Sequence, residues 1–233
     1  MKDLMSLSPM KILEQSSRGE LGPGNLGVFI ARAGVGKTAC LLHIALEKIF
    51  RGEGIVHVSL EEGPEKVGSY YNAMYYELTK AADMEVEADY RDVIEKNRMI
   101  LAYLGRSFQI DRLRENMMNM AENLLYVPKA IVMDGVDFEK AGHSFFEGLK
   151  EIAREFQVEI WLSALSHRHI TTENEKGIPY PCNELDDLFS IIIQLQPQLS
   201  GILLKLLKDH DNPSIPDISL MLDPKTLLVR EKR

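Results

Sequence analysis

Residues 28–41, Val-Phe-Ile-Ala-Arg-Ala-Gly-Val-Gly-Lys-Thr-Ala-Cys-Leu, restrict the folds open to this chain more than any other stretch. An apolar run suited to a strand passes into a turn of small residues. Gly36-Lys37-Thr38 then opens a segment in which Ala39, Leu42, Ala45, Leu46 and Ile49 recur at helical spacing. Gly34 and Gly36 allow the backbone to bend until successive N–H groups converge on an anion. A helix beginning at Lys37 adds its positive dipole end. Lys37 supplies a mobile charge suited to β- and γ-phosphates, and the Thr38 hydroxyl suits Mg²⁺. The arrangement predicts a phosphate-binding loop made of Ala33, Gly34, Val35, Gly36, Lys37, Thr38 and Ala39. Ala31 stands where the first glycine of the G-x-x-x-x-G-K-[ST] pattern belongs, and alanine serves there if its φ stays negative. A chance Gly-Lys-Thr in a surface turn would lack both the strand before it and the helix after it.

The rest of the chain repeats the strand–helix alternation. Apolar strand-like runs at 55–60, 98–103, 130–134 and 158–165 alternate with helical patterns near 64–78, 110–125 and 145–156. Strands that are apolar on both faces, separated by helices, predict an α/β fold with a mainly parallel central sheet flanked by helices. Runs at 191–195, 202–207 and 218–222 are closely linked, and predict antiparallel strands added at the C-terminal end. Residues 1–20 read as a lead-in and 21–233 as one domain. The letters of G-x-G-x-x-G occur at 22–27, but they precede a strand and open no helix, so they read as a turn. The tyrosines at 70, 71 and 75 read as packing in preference to a base-stacking platform.

Composition narrows the partners. The net charge is −8, and no basic block offers the phosphate-gripping stripe of a nucleic-acid binder, which disfavours that partner. No apolar run approaches the roughly 20 residues needed to cross a bilayer, so no membrane association is expected. Of the two cysteines, Cys40 and Cys182, the first falls on the opening turns of the loop helix and reads as a buried thiol and not half of a disulfide, so a reducing cytoplasm is expected. A zinc site from His167, His169 and Cys182 lacks a second ligand pair at a recognised spacing.

Asp134 follows four apolar residues and emerges at the carboxyl edge of the sheet, where open α/β folds place their ligands. With Lys37 and Thr38 upstream, it reads as the carboxylate that holds Mg²⁺, against the alternative of an Asp-Gly turn. Glu61 and Glu62 end the strand after the loop helix. One of them suits a general base toward water, and the pair also suits the start of a helix opening at Pro64.

The strand, Ala-x-x-x-x-Gly-Lys-Thr, Ser59-Leu60-Glu61, Val132-Met133-Asp134 and Leu165-Ser166-His167 together resemble the RecA superfamily of P-loop ATPases. The resemblance is to its DnaB-like helicase and KaiC-like branches. It implies ATP and Mg²⁺ as cofactors, with Glu61 as first choice and Glu62 as second for activating water, and His167 in the γ-phosphate-sensing position. Leu207-Lys208-Asp209-His210 resembles the Lys-x-Arg element that relatives insert into a neighbour's nucleotide site, with His210 where the arginine belongs. The implied assembly is a homo-oligomeric ring, such as a hexamer, with a further protein partner also open. The absence of an Asn-Lys-x-Asp sequence favours ATP over GTP. A DNA-translocating motor and a nucleotide-gated interaction module with little hydrolysis are the competing readings, and a small-molecule kinase stands behind both.

Overall fold

In a computed structural model the described residues are 8–16, 19–81, 88–104, 107–212, 215 and 218–229. A short 3-10 helix at Pro9–Gln15 leads in. Then follow β1 (Leu26–Ala31), α1 (Lys37–Phe50), β2 (Ile55–Ser59), α2 (Pro64–Ala81), α3 (Ala88–Lys96) and β3 (Arg98–Ala102). The chain continues with α4 (Ile110–Asn123), β4 (Ala130–Asp134), α5 (His143–Glu155), β5 (Glu159–Leu165), β6 (Phe189–Gln198), β7 (Gly201–Asp209) and β8 (Ser219–Leu222). All eight strands form one sheet in the order β3-β2-β4-β5-β1-β6-β7-β8.

The first five strands run parallel. β6 also lies parallel to β1, and antiparallel pairing begins only at β7 and continues at β8. The C-terminal extension is therefore antiparallel in its last two strands and not in all three. The long crossing from β5 to β6, over 166–188, allows β6 to return in the parallel sense. That crossing reads as polar, yet it buries Ile178, Cys182 and Leu185. Its Asn174 side chain accepts from the N–H groups of Lys176 and Ile178 and donates to the Asn183 carbonyl. The acidic 81–96 segment, which reads as an excursion with some helix, carries the end of α2 and all of α3; residues 82–87 lie outside the described residues.

Side chains alternate across the sheet and build two apolar layers. Phe29, Val132, Trp161 and Ile193 face the 3-10 helix, α1, α2 and α3. Val28, Ile131, Met133, Ile160 and Leu162 face α4 and α5. In the first layer Trp161 stacks on Phe29 at 5.3 Å between ring centres. A Cβ on Gly27 would lie 2.6 Å from the indole, so the last glycine of the 22–27 turn makes room for this ring. Because β1, β2, β4 and β5 are parallel, their ends at Ala31, Ser59, Asp134 and Leu165 lie along one edge of the sheet. No helix among the described residues is long and apolar enough to cross a membrane.

Candidate functional site

The loop between β1 and α1 is shaped by its glycines. Gly34 has φ +74° and Gly36 φ +108°, backbone that side chains rarely adopt. No side chain caps the start of α1, so its first N–H groups face the loop. Ala31 ends β1 as a buried strand residue, and its carbonyl accepts from Lys37 Nζ at 3.1 Å. The Arg32 carbonyl accepts from the same ammonium at 3.2 Å. Lys37 is thus folded back over its own loop. Burial lowers its pKa, while the Asp134 and Glu61 carboxylates pull it the other way.

Asp134 stands opposite, at the end of β4. Thr38 Oγ1 donates to its Oδ2 at 2.5 Å, and the Gly135 N–H donates to its Oδ1 at 3.1 Å. The Ser163 hydroxyl, from β5, donates to the same Oδ1. Each carboxylate oxygen therefore has a defined direction, and a cavity of about 450 Å³ opens in front of them. Lys37, Thr38, Glu61, Asp134, Ser163 and His167 all contribute to its wall.

The two glutamates part company here. Glu61 sits over the turn after Asp134, so close that a Cβ on Gly135 would lie 2.8 Å from its Cγ. Glu62 turns toward α2, where the Tyr70 hydroxyl donates to its Oε1 at 3.4 Å. His167, beyond the end of β5, sets its Nε2 3.1 Å from Glu139 Oε1 at the cavity mouth. A second cavity of about 480 Å³ lies on the other flank of the loop, between Gly36, Ala39, Leu42, Tyr70, Met74 and Thr226.

Lys208 and His210, expected to reach a neighbouring subunit's nucleotide site, line no part of this cavity. Lys208 donates from Nζ to the Asp186 carbonyl and lines a separate cavity of about 900 Å³ with Lys176. His210 is buried. Its Nδ1 lies 2.9 Å from Asp209 Oδ1 and its Nε2 3.1 Å from the Leu21 carbonyl. With both ring nitrogens engaged inside its own chain, His210 presents neither to a neighbouring subunit. Pro213, the end of that element, lies outside the described residues.

Two residues at the site escape sequence reasoning. Ser163 reads as one more small residue in an apolar strand; only its register beside β4 brings it to Asp134. Leu227, on the C-terminal turn after β8, is buried with φ +56° and packs on Gly36, where an added Cβ would lie 2.2 Å from its Cδ1. No local signal ties position 227 to position 36.

The donor set bears on metal chemistry. Among the described residues there is no group of three or more His, Cys, Asp or Glu able to hold a metal by themselves. Cys182 is fully buried whereas His169 is exposed and His167 partly so, and the three form no metal-holding group among the described residues. One carboxylate and one hydroxyl aimed into a cavity beside phosphate-directed amides fit Mg²⁺, which keeps most of its shell as water and phosphate oxygens. No protein-family model matches this chain, and no significant match to a curated protein was found.

Proposed function

We propose that this chain is a Mg²⁺-dependent ATPase of the RecA superfamily, similar to the KaiC-like and DnaB-like branches, acting in an oligomer with its sites at subunit interfaces. The observation that carries the reading is the meeting of four groups in one cavity: Lys37 and Thr38 from the loop helix, Asp134 from β4 and Glu61 from beyond β2. They come from segments nearly 100 residues apart, and each meets a different requirement of triphosphate chemistry.

The uncapped amides at the start of α1 receive phosphate oxygens, and Lys37 swings from the Ala31 and Arg32 carbonyls to the β- and γ-phosphates. Thr38 and Asp134 would hold Mg²⁺, which would supply positive charge against the phosphates. The nucleoside extends into the cavity beside Tyr70 and Met74. Glu61 takes a proton from water as the water oxygen bonds to the γ-phosphorus. The bond to the bridging oxygen breaks, and ADP and inorganic phosphate form. Its place over Gly135 favours Glu61 over Glu62, which faces Tyr70. His167 lines the same cavity, and we assign it the sensing of the γ-phosphate.

Nucleotide binding measured beside phosphate release tests the reading. Glu61→Gln is expected to keep ATP binding and slow release by about 10²-fold or more, while Glu62→Gln changes it little. Failure of the wild-type chain to bind ATP in the presence of Mg²⁺ would overturn the proposal. A second reading, a nucleotide-gated interaction module with little hydrolysis, is favoured by the burial of His210. A cation supplied to the transition state is worth about 10³-fold or more, and His210 is not free to provide one. Tight binding without turnover would select it.

A further inference from the structure

Ser163 is a buried polar group at the site that the loop, the metal ligands and the water-activating glutamate leave unassigned. It lies on β5, the strand separating β1 from β4, in register with Phe29 of β1. Alternation along β5 sends Ile160, Leu162 and Ala164 to the α4–α5 side and Trp161 to the α1 side. Position 163 therefore projects toward the start of α1, into a layer otherwise built from Phe29, Ala31 and Trp161. A hydroxyl 4% exposed in such a layer needs a partner. Its partner is Asp134 Oδ1.

From this geometry we infer that Ser163 is a positioning residue for Asp134, fixing one carboxylate oxygen so that the other is presented to Thr38 and to the cation. The inference rests on the ATPase reading above. Oδ1 takes two donors, the Ser163 hydroxyl and the Gly135 N–H, and so has a fixed direction. Oδ2 takes the Thr38 hydroxyl. That hydroxyl has one proton and two lone pairs, so it can keep donating to Oδ2 while a lone pair faces Mg²⁺. Without the Ser163 hydroxyl, Oδ1 keeps only the Gly135 N–H and Oδ2 the Thr38 hydroxyl, so the carboxylate is held less firmly against rotation about its Cβ–Cγ bond. Groups that orient a ligand in this way typically set metal affinity by 10–100-fold (an order of magnitude or two) when removed.

The test is a titration of a fluorescent ATP analogue with the full chain, with and without Mg²⁺. Ser163→Ala is expected to raise the Mg²⁺ concentration for half-maximal enhancement of binding by about 10-fold or more, with affinity for the Mg²⁺-free nucleotide unchanged. Ser163→Cys keeps the side-chain shape but offers only a weak donor, and is expected to behave like Ser163→Ala; Ser163→Thr restores the hydroxyl and is expected to recover most of the Mg²⁺ response. An unchanged Mg²⁺ midpoint in Ser163→Ala, or a cysteine variant that matches wild type, would overturn the inference while leaving the ATPase reading intact. Binding by the wild-type chain that ignores Mg²⁺ altogether would remove both.

Discussion

At the scale of single residues, the site depends on groups whose behaviour is set by what surrounds them. Lys37 is half-buried and rests on two loop carbonyls, so its charge is held ready over the loop and is not spent on a fixed ion pair. Lys37→Ala is expected to abolish tight ATP binding while leaving the melting temperature near that of wild type, read by the same nucleotide titration and a thermal melt. Two histidines set an acid limit on stability. Burial pushes His43 and His57 down to about 4, against an ordinary value near 6.5; a backbone bond at Thr226 opposes the shift at His43, and Asp134 opposes it at His57. Because the unfolded chain protonates first, their contribution is fully present above pH 6.5 and is lost as pH falls toward 4. Each shift corresponds to roughly 3 kcal/mol. Melting temperature is expected to fall across that window, and His43→Gln to flatten the fall; a constant value from pH 7 to 5 would contradict this.

At the scale of elements, the loop is held from two directions. β1 and β5 support it from the sheet side, and the turn after β8 supports it from outside through Leu227 on Gly36. Gly36→Ala meets two penalties: a left-handed φ, which costs about 1–3 kcal/mol, and a clash with Leu227. Leu227→Ala removes the clash but leaves a cavity, at about 2–5 kcal/mol. Denaturant unfolding of both single variants and the double variant is expected to give a combined loss smaller than the sum, since only one of the two penalties at Gly36 involves Leu227. Strict additivity would show that the two residues do not communicate. Most strands and helices were legible in the sequence to within two or three residues, α3 excepted, because the apolar repeat of each strand and helix is a local property. The direction of β6 was not, because nothing in an apolar run records which neighbour it will pair with.

At the scale of the whole molecule, the sheet places the candidate site at the shared carboxyl edge of β1, β2, β4 and β5, with apolar layers on both faces keeping those ends in register. Assembly is the property that a single chain leaves to experiment. Light scattering is expected to show a higher mass with ATP and Mg²⁺ than without, and phosphate release to rise with protein concentration over the same range. A mass that ignores nucleotide would remove the interface site from the proposal and leave a self-contained one. The burial of His210 sharpens this test, since any cation reaching across would have to come from another residue.

The sequence by itself marked the loop, the strand ends and Lys37, Thr38 and Asp134 as candidates, each by a short motif at the end of an apolar run. Tertiary structure alone decided which glutamate faces the cavity, that Ser163 holds Asp134, that Leu227 closes on Gly36 and that His210 is tied to Leu21 instead of standing free. These depend on strand order and on residues far apart in the chain, joined by packing that no local periodicity encodes. The loop can be read from fourteen residues, but the bond from Ser163 to Asp134 exists only because β5 lies between β1 and β4.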